Sequence, residues 1–430
     1  MDGMFNLKIN IVLLLVAVAV VTGWTGHLPI AAAASPTEND VNLVATWLYD
    51  TQDQSSGSLS EGSWSPYGDY TGSMVIGLVE AYRRTCNNDF KASALLGGDF
   101  ILAQNSSPPL VFLGYGDDAL AFARLSSISD NPLDNQWRSD LATFYQFVKD
   151  SVQAPPSGYG STTGFISHFY AGTEPSTAVF YLAHHAVAAY YVNAWDKEVW
   201  RNAVIAFLSQ VDDDVADYPV LALGVATWAL AKTGPLSDTN VKLPGLGEEI
   251  WDGVELSDLP DLLLSHQKSS DPNAGSFFWR FDHTNSVGGV GTDDTHGYTE
   301  DNIFGVLGLA AALKADPDRS NAAQIADGIA ATKSLLPRAI DPDGSVWGHL
   351  WAGSRKRPFY GGRLLTAFSG ITVDGDNDMD GVINMVDYAI FAQYLNNECG
   401  CIGDHNEDGI VNLDDLVMGL AENWLSGATP

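Results

Sequence analysis

The 430-residue sequence holds three cysteines, Cys86, Cys399 and Cys401, and only six methionines. At most one disulfide can form within the chain, so its core and not a disulfide scaffold must hold it together. Positive charge is equally scarce: 21 Lys and Arg stand against 53 Asp and Glu, a formal net charge of −32. A field of that sign repels phosphate backbones and anionic lipid surfaces, and no basic stripe interrupts it, so nucleic acid is excluded as a partner. No glycine-rich loop with a following lysine is present, which disfavours nucleotide chemistry. Long apolar runs are confined to residues 11–21, after Lys8, with a row of alanines at 31–34. That is the pattern of a secretory signal peptide over residues 1–34, too short for a membrane span. The expectation is a secreted protein, extracellular or at the cell surface, with no membrane span after signal cleavage.

What is abundant is patterned carboxylate. Residues 376–387 and 404–415 read DNDMDGVINMVD and DHNEDGIVNLDD. Each places oxygen-bearing side chains at positions 1, 3, 5, 9 and 12 and glycine at position 6, Gly381 or Gly409. Calcium takes six to eight hard oxygens, and the glycine permits the turn that wraps the chain around the ion. The expected ligands are Asp376, Asp378, Asp380, the carbonyl of Val382, Asn384 and Asp387 in the first loop. In the second they are Asp404, Asn406, Asp408, the carbonyl of Ile410, Asn412 and Asp415. Two structural Ca2+ ions are therefore expected. An apolar stripe follows each loop, Tyr388, Phe391, Tyr394 and Leu395, then Leu416, Val417, Leu420, Trp424 and Leu425, with the spacing of an amphipathic helix.

No entering helix precedes the first loop, and position 12 is Asp where EF-hands usually carry Glu. Residues 374–426 thereby resemble a type I dockerin. The resemblance implies a loop–helix pair folded around two calcium ions, docking to a cohesin-like or cell-surface protein. It also implies an upstream polysaccharide-degrading enzyme. Positions 10 and 11, which help dockerins select a cohesin, are Met385-Val386 and Leu413-Asp414. The two halves differ, which counts against dual-mode binding. Cys399 and Cys401 either close a tight loop disulfide or leave one sulfur to pair elsewhere. Cys86 reads as a free thiol at a helix end. A Cys-x-Cys zinc site would need two more ligands, and His405 alone does not complete it.

Residues 35–371 have a helical grammar. Nearly all-apolar helices open at Tyr67, Gly114, Glu174, Asp217, Tyr298 and Tyr360, and helices apolar all round are buried ones. Amphipathic helices over 40–52, 89–103, 135–150, 195–211, 258–267 and 321–335 alternate with them. Six outer and six inner helices describe an (α/α)6 toroid, followed by the small α-helical dockerin-like module with its two EF-hand-type calcium loops over 372–430. Gln52 followed by Gly62-Ser63-Trp64, and Gln267 followed by Gly275-Ser276, resemble a repeat of α/α-toroid proteins. Relatives of that fold include polysaccharide lyases, endoglucanases, unsaturated uronyl hydrolases and squalene cyclases.

Chemistry is expected where inner helices begin. The densest loop holds Asp293, Asp294, His296, Tyr298, Glu300 and Asp301, groups able to supply an acid, a base and substrate hydrogen bonds. Asp69, Asp117, Asp118, His168, Glu174 and Asp217 stand at other helix starts. In a hydrolase, Asp69, Asp117 or Asp294 would be base or nucleophile and Glu300 the acid. In a lyase, His296 or Tyr298 would abstract a proton α to a uronate while Arg355 neutralises its carboxylate. Trp64, Trp279, Trp347 and Trp351 on connecting loops offer faces for sugar rings. Helix-start acids are also the usual caps, and His184-His185 in an Ala-rich helix suits packing. Asp293-Asp294-Thr295 matches the end of the squalene-cyclase motif, but Gly291 stands where its first Asp belongs. The reading that results is a glycoside hydrolase or polysaccharide lyase. The alternative is a non-catalytic carbohydrate-binding or surface-assembly protein anchored by its tail.

Overall fold

The computed structural model describes residues 36–107, 110–129, 134–150, 161–242, 247–269, 274–282, 297–350 and 354–371, together with Tyr388, 391–392 and 412–416. The signal segment, Asp293, Asp294, His296, Trp351, the cysteine pair Cys399 and Cys401, and the calcium-loop residues other than Asn412 and Asp415 lie outside the described residues.

Thirteen helices organise the described chain. They are α1 (Glu38–Thr51), α2 (Thr71–Thr85), α3 (Asn88–Asn105), α4 (Gly116–Ser127), α5 (Gln136–Asp150), α6 (Thr162–Phe169) and α7 (Pro175–Tyr191). There follow α8 (Lys197–Leu208), α9 (Pro219–Thr233), α10 (Leu259–Ser265), α11 (Thr299–Ala315), α12 (Ala322–Lys333) and α13 (Pro358–Gly370). A two-stranded antiparallel ladder, β1 (Ser106–Ser107) and β2 (Leu110–Val111), joins α3 to α4.

Helices α2, α4, α7, α9, α11 and α13 pack each against the next, and α13 closes on α2. The outer helices α1, α3, α5, α8, α10 and α12 lie on their backs. This is an (α/α)6 toroid, as the alternation of all-apolar and amphipathic segments requires. Helix α1 shows the outer pattern: Thr37 and Asp40 form a capping box, and Val41, Val44, Ala45 and Leu48 make one buried stripe. Helix α9 shows the inner one, with Pro219 at its first turn and burial on every side through Leu230. Inner helices cross closely. A Cβ on Gly77 would lie 2.4 Å from the carbonyl oxygen of Gly362, so α2 and α13 meet backbone to backbone. The middle of the ring is filled, with a space of about 10 Å³ beneath Arg363. It is a core and not a channel.

The Gln repeat has a physical basis. Gln52 Nε2 donates to Gly62 O at 2.8 Å and to Ser93 O of α3 at 3.0 Å. Gln267 Nε2 donates to Gly275 O at 3.0 Å and to Gly328 O of α12 at 2.7 Å. Each glutamine thus ties the loop that leads to an inner helix onto the next outer helix. Gly62 and Gly275 both adopt left-handed φ, +89° and +94°, and both lie against that outer helix.

Two inner helices begin earlier than their apolar runs. Helix α11 starts at Thr299, whose amide donates to Gly348 O at 3.0 Å, and α13 at Pro358, which has no N–H to satisfy in the first turn. Glu300 and Arg363 are therefore helical residues and point into the ring's first layer. Among the described residues no helix is long and apolar enough to cross a membrane.

Candidate functional site

The inner helices all start at one end of the ring. A tyrosine immediately precedes four of them: Tyr70 before α2, Tyr115 before α4, Tyr218 before α9 and Tyr298 before α11. None of these side chains caps its helix. Tyr115 and Tyr218 are exposed. Tyr70 stacks on Phe359 with ring centroids 4.5 Å apart, and Tyr115 leans on Tyr181 at 5.1 Å. The opening is thus rimmed by phenols, each with an apolar face and a hydrogen-bonding tip.

Asp117 and Asp118, the second and third residues of α4, sit below this rim and are both buried. Ser73 Oγ donates to Asp117 Oδ2 at 3.0 Å, and Asp117 Oδ1 has no hydrogen-bond partner among the described residues. Burial pushes the Asp117 carboxyl above the usual range, opposed by the Arg363 charge and the Ser73 hydroxyl. Asp118 is pushed up further, by burial first and then by the Asp117 charge, against hydrogen bonds from the Gly72 amide and the Asn105 side chain. Two adjacent buried carboxylates do not both ionise cheaply, and the surroundings favour a proton on Asp118 over one on Asp117. Asp69, exposed on the turn above, adds its charge to that of Asp117 at Asp118 and Tyr115.

Arg363 completes this layer. Its guanidinium lies 4.4 Å from the Phe180 ring centroid and 5.0 Å from that of Phe359, with Nε donating to Ser73 Oγ at 3.4 Å. Nη1 forms an ion pair with Glu300 Oε1. Glu300, expected as a general acid, is thus placed beside a buried guanidinium as its ion-pair partner. The deeper polar layer was not anticipated: Glu80 pairs with Arg124 at 3.2 Å and accepts from Ser369 Oγ at 2.7 Å.

The other candidates separate. Glu174 is a cap, accepting from the Ser176 and Thr177 amides at 2.8 Å, and it also receives the Asp217 amide at 3.0 Å. Burial raises its pKa, but those bonds outweigh it and the net shift is downward. Tyr298 stands at the opening with its ring 4.8 Å from His349 and 5.8 Å from Trp279. Arg355 is exposed on the loop that covers the start of α11, held through its carbonyl by the Gly348 amide at 3.0 Å. His168 is exposed on α6. His184 and His185 are packing residues: the first bonds Phe180 O, the second stacks on Trp200 at 4.6 Å. Trp64 and Trp279 are buried and offer no sugar platform. The Trp64 indole donates to Leu48 O at 2.8 Å, since a loop tryptophan near an outer helix gains more by burial than by display. Trp347 is half-buried, with Lys356 Nζ 4.5 Å over its ring.

Beyond the ring, Asn412 begins a short helical segment. Its amide donates to Asp415 Oδ2 at 2.8 Å, and its Oδ1 accepts from the Asp414 amide at 2.7 Å. Cys86 is half-buried at the C-terminus of α2, in left-handed backbone at φ 51°.

No protein-family model matches the chain. No curated protein matches it either. Solved structures do. A D-mannose isomerase superposes with a TM-score of 0.51 at 10% identity, covering 80% of this chain and 99% of that one. A cellobiose 2-epimerase from Spirochaeta thermophila DSM 6192 gives 0.48 at 12% identity, covering 78% and 96%. The GH76A α-1,6-mannanase of Salegentibacter sp. HEL1_6 gives 0.47 at 12% identity, covering 78% and 99%. At such identities the likeness is one of fold; the closed ring of six inner and six outer helices makes this an α/α-toroid protein.

Proposed function

We propose that the opening of the ring is the active site of an exported glycan-processing enzyme that hydrolyses glycosidic bonds with Asp117 and Asp118. The observation that carries this reading is the pair itself: consecutive buried carboxylates with unlike surroundings in the first turn of an inner helix. Hydrolysis of a glycoside needs one protonated and one ionised carboxyl. Asp118, kept protonated by burial and by its neighbour's charge, donates to the departing glycosidic oxygen. Asp117, beside Arg363 and Ser73, is the base or nucleophile. The tyrosine rim stacks against sugar rings and bonds their hydroxyls. Glu300 keeps Arg363 in place and so acts through it. The lyase reading, with Tyr298 as base and Arg355 on a uronate, uses residues at the same opening and is a separate outcome of the test. So is the non-catalytic carbohydrate-binding reading.

The tail extends the proposal. Residues 374–426 are a calcium-dependent dockerin-like module, and its partner is a cohesin-like or cell-surface protein. The two loops hold Ca2+ as structure and not as catalyst, with carboxylates and carbonyls as ligands. Of these residues Asn412 and Asp415 are described. Asp415 is buried and bonds the Asn412 amide, which fits the last position of a loop closing onto its helix.

A broad polysaccharide screen reading both reducing ends and ultraviolet absorbance tests the enzyme. New reducing ends without absorbance support hydrolysis, and absorbance supports the lyase. Glycan retention without turnover, indifferent to Asp117→Asn and Asp118→Asn, supports the binding protein. Silence across the panel sinks all three.

A further inference from the structure

Trp195 is 83% exposed, in the turn that follows the C-terminal end of α7. Large aromatic side chains are costly to leave in water, and the other exposed ones in the described chain, Tyr115 and Tyr218, belong to the rim. Beside Trp195 lies a cavity of about 250 Å³ between that turn and α5. Its walls include Tyr145, Gln146, Lys149, Asn193, Trp195 and Asp196. Lys149 Nζ sits 4.7 Å from the indole centroid on one face.

Asp196 gives the cavity an unmet demand. It is 9% exposed, its Oδ2 takes the Thr162 hydroxyl, and its Oδ1 is buried without a hydrogen-bond partner among the described residues. An unmatched buried carboxylate oxygen is expensive, and a donor from a ligand would relieve it. Asn193 is held in left-handed backbone at φ 51°, and its Oδ1 receives Lys197 Nζ at 2.7 Å, so the turn is braced. The cavity is smaller than those that enclose a drug-sized ligand, which are about 300–1,000 Å³. It combines a flat apolar face, an anion and a cation.

We propose that this cavity is a second, non-catalytic binding site that takes one sugar unit of a glycan chain. A pyranose has an apolar C–H face for the Trp195 ring and hydroxyls that donate to Asp196 and accept from Lys149. The choice of sugar as ligand rests on the reading of the opening; the site uses none of its residues. It would hold a long substrate against the outer wall of the ring while the opening works on another part.

The experiment is affinity electrophoresis of the full chain through gels cast with soluble polysaccharides, using Asp117→Asn to prevent cleavage. Retardation is expected, and adding Trp195→Ala should weaken apparent affinity about tenfold, the loss of one stacking platform and its ordered neighbours. Asp196→Asn should weaken it as well. In the otherwise unaltered protein, Trp195→Ala should leave turnover of a short oligosaccharide unchanged. No retardation on any polysaccharide, or retardation indifferent to both substitutions, overturns the proposal. If Asp117→Asn remains fully active while Trp195→Ala abolishes retardation, the reading of the opening fails and the second site stands.

Discussion

Asp117 and Arg363, on α4 and α13, are joined through one hydroxyl: Ser73 Oγ donates to the carboxylate at 3.0 Å and receives the guanidinium Nε at 3.4 Å. The ring closes α13 onto α2, and that closure is what brings the two charges into one layer. Everything proposed for the opening depends on this contact.

Asp118→Asn should reduce turnover by roughly 10²–10⁴, the usual worth of general acid catalysis. The loss should shrink on aryl glycosides whose leaving group needs no proton, whereas Asp117→Asn should fail on both substrates. Steady-state kinetics on the two substrate types checks this. Equal losses for the two variants would reassign the roles.

The pH dependence of stability follows from the same pair. Asp118 has a folded pKa above its unfolded one, through burial and the Asp117 charge. Its contribution is fully present below the unfolded value and is lost as pH rises through the raised one. Asp118→Asn should therefore gain in melting temperature over the parent as pH is raised from 4 to 8. A difference that stays flat with pH would contradict the assignment.

The buried histidines act in the opposite direction. Burial lowers His185 from 6.5 to about 4 and His184 to about 3, so unfolding takes up protons in between. Stability present above pH 6.5 is lost as pH falls towards 4, on the order of 3 kcal/mol for His185. Urea unfolding of His185→Gln against the parent should show a weaker acid dependence across that window.

Arg363→Met leaves the half-buried Glu300 without its cation. Breaking a fully buried pair costs about 3–5 kcal/mol and this partly screened one less, so the variant should unfold at lower denaturant. Restoring neutrality with Glu300→Gln in the same chain should recover part of that loss. Recovery would establish that Glu300 serves Arg363; its absence would return Glu300 to the list of acids.

Chelation should unfold residues 374–426 and leave the helical circular dichroism of the ring nearly intact. The first loop offers four carboxylates and the second three, so calorimetry should find the first site tighter. Equal sites would contradict this.

Local patterns accounted for the ring. Apolar runs without a polar face, Pro and acids at their starts, and the repeated Gln52 and Gln267 with their glycines each report a short-range requirement of helix, cap or loop tie. Gln52→Ala illustrates how strict that is: it should cost about 1–3 kcal/mol, since Gly62 O and Ser93 O lose a buried donor.

By itself, then, the sequence determined the alternation of helices and the places where they begin, because capping and amphipathicity are matters of a few neighbouring residues. It could not say which helix-start acids are caps and which are chemistry. Glu174 and Asp117 look alike in the chain, yet one spends its oxygens on backbone amides, those of Ser176, Thr177 and Asp217, and the other meets the side chains of Ser73 and Arg363. Only the closed ring decided that difference, because a carboxylate's proton affinity is set by burial and by charges the chain brings to it from far away.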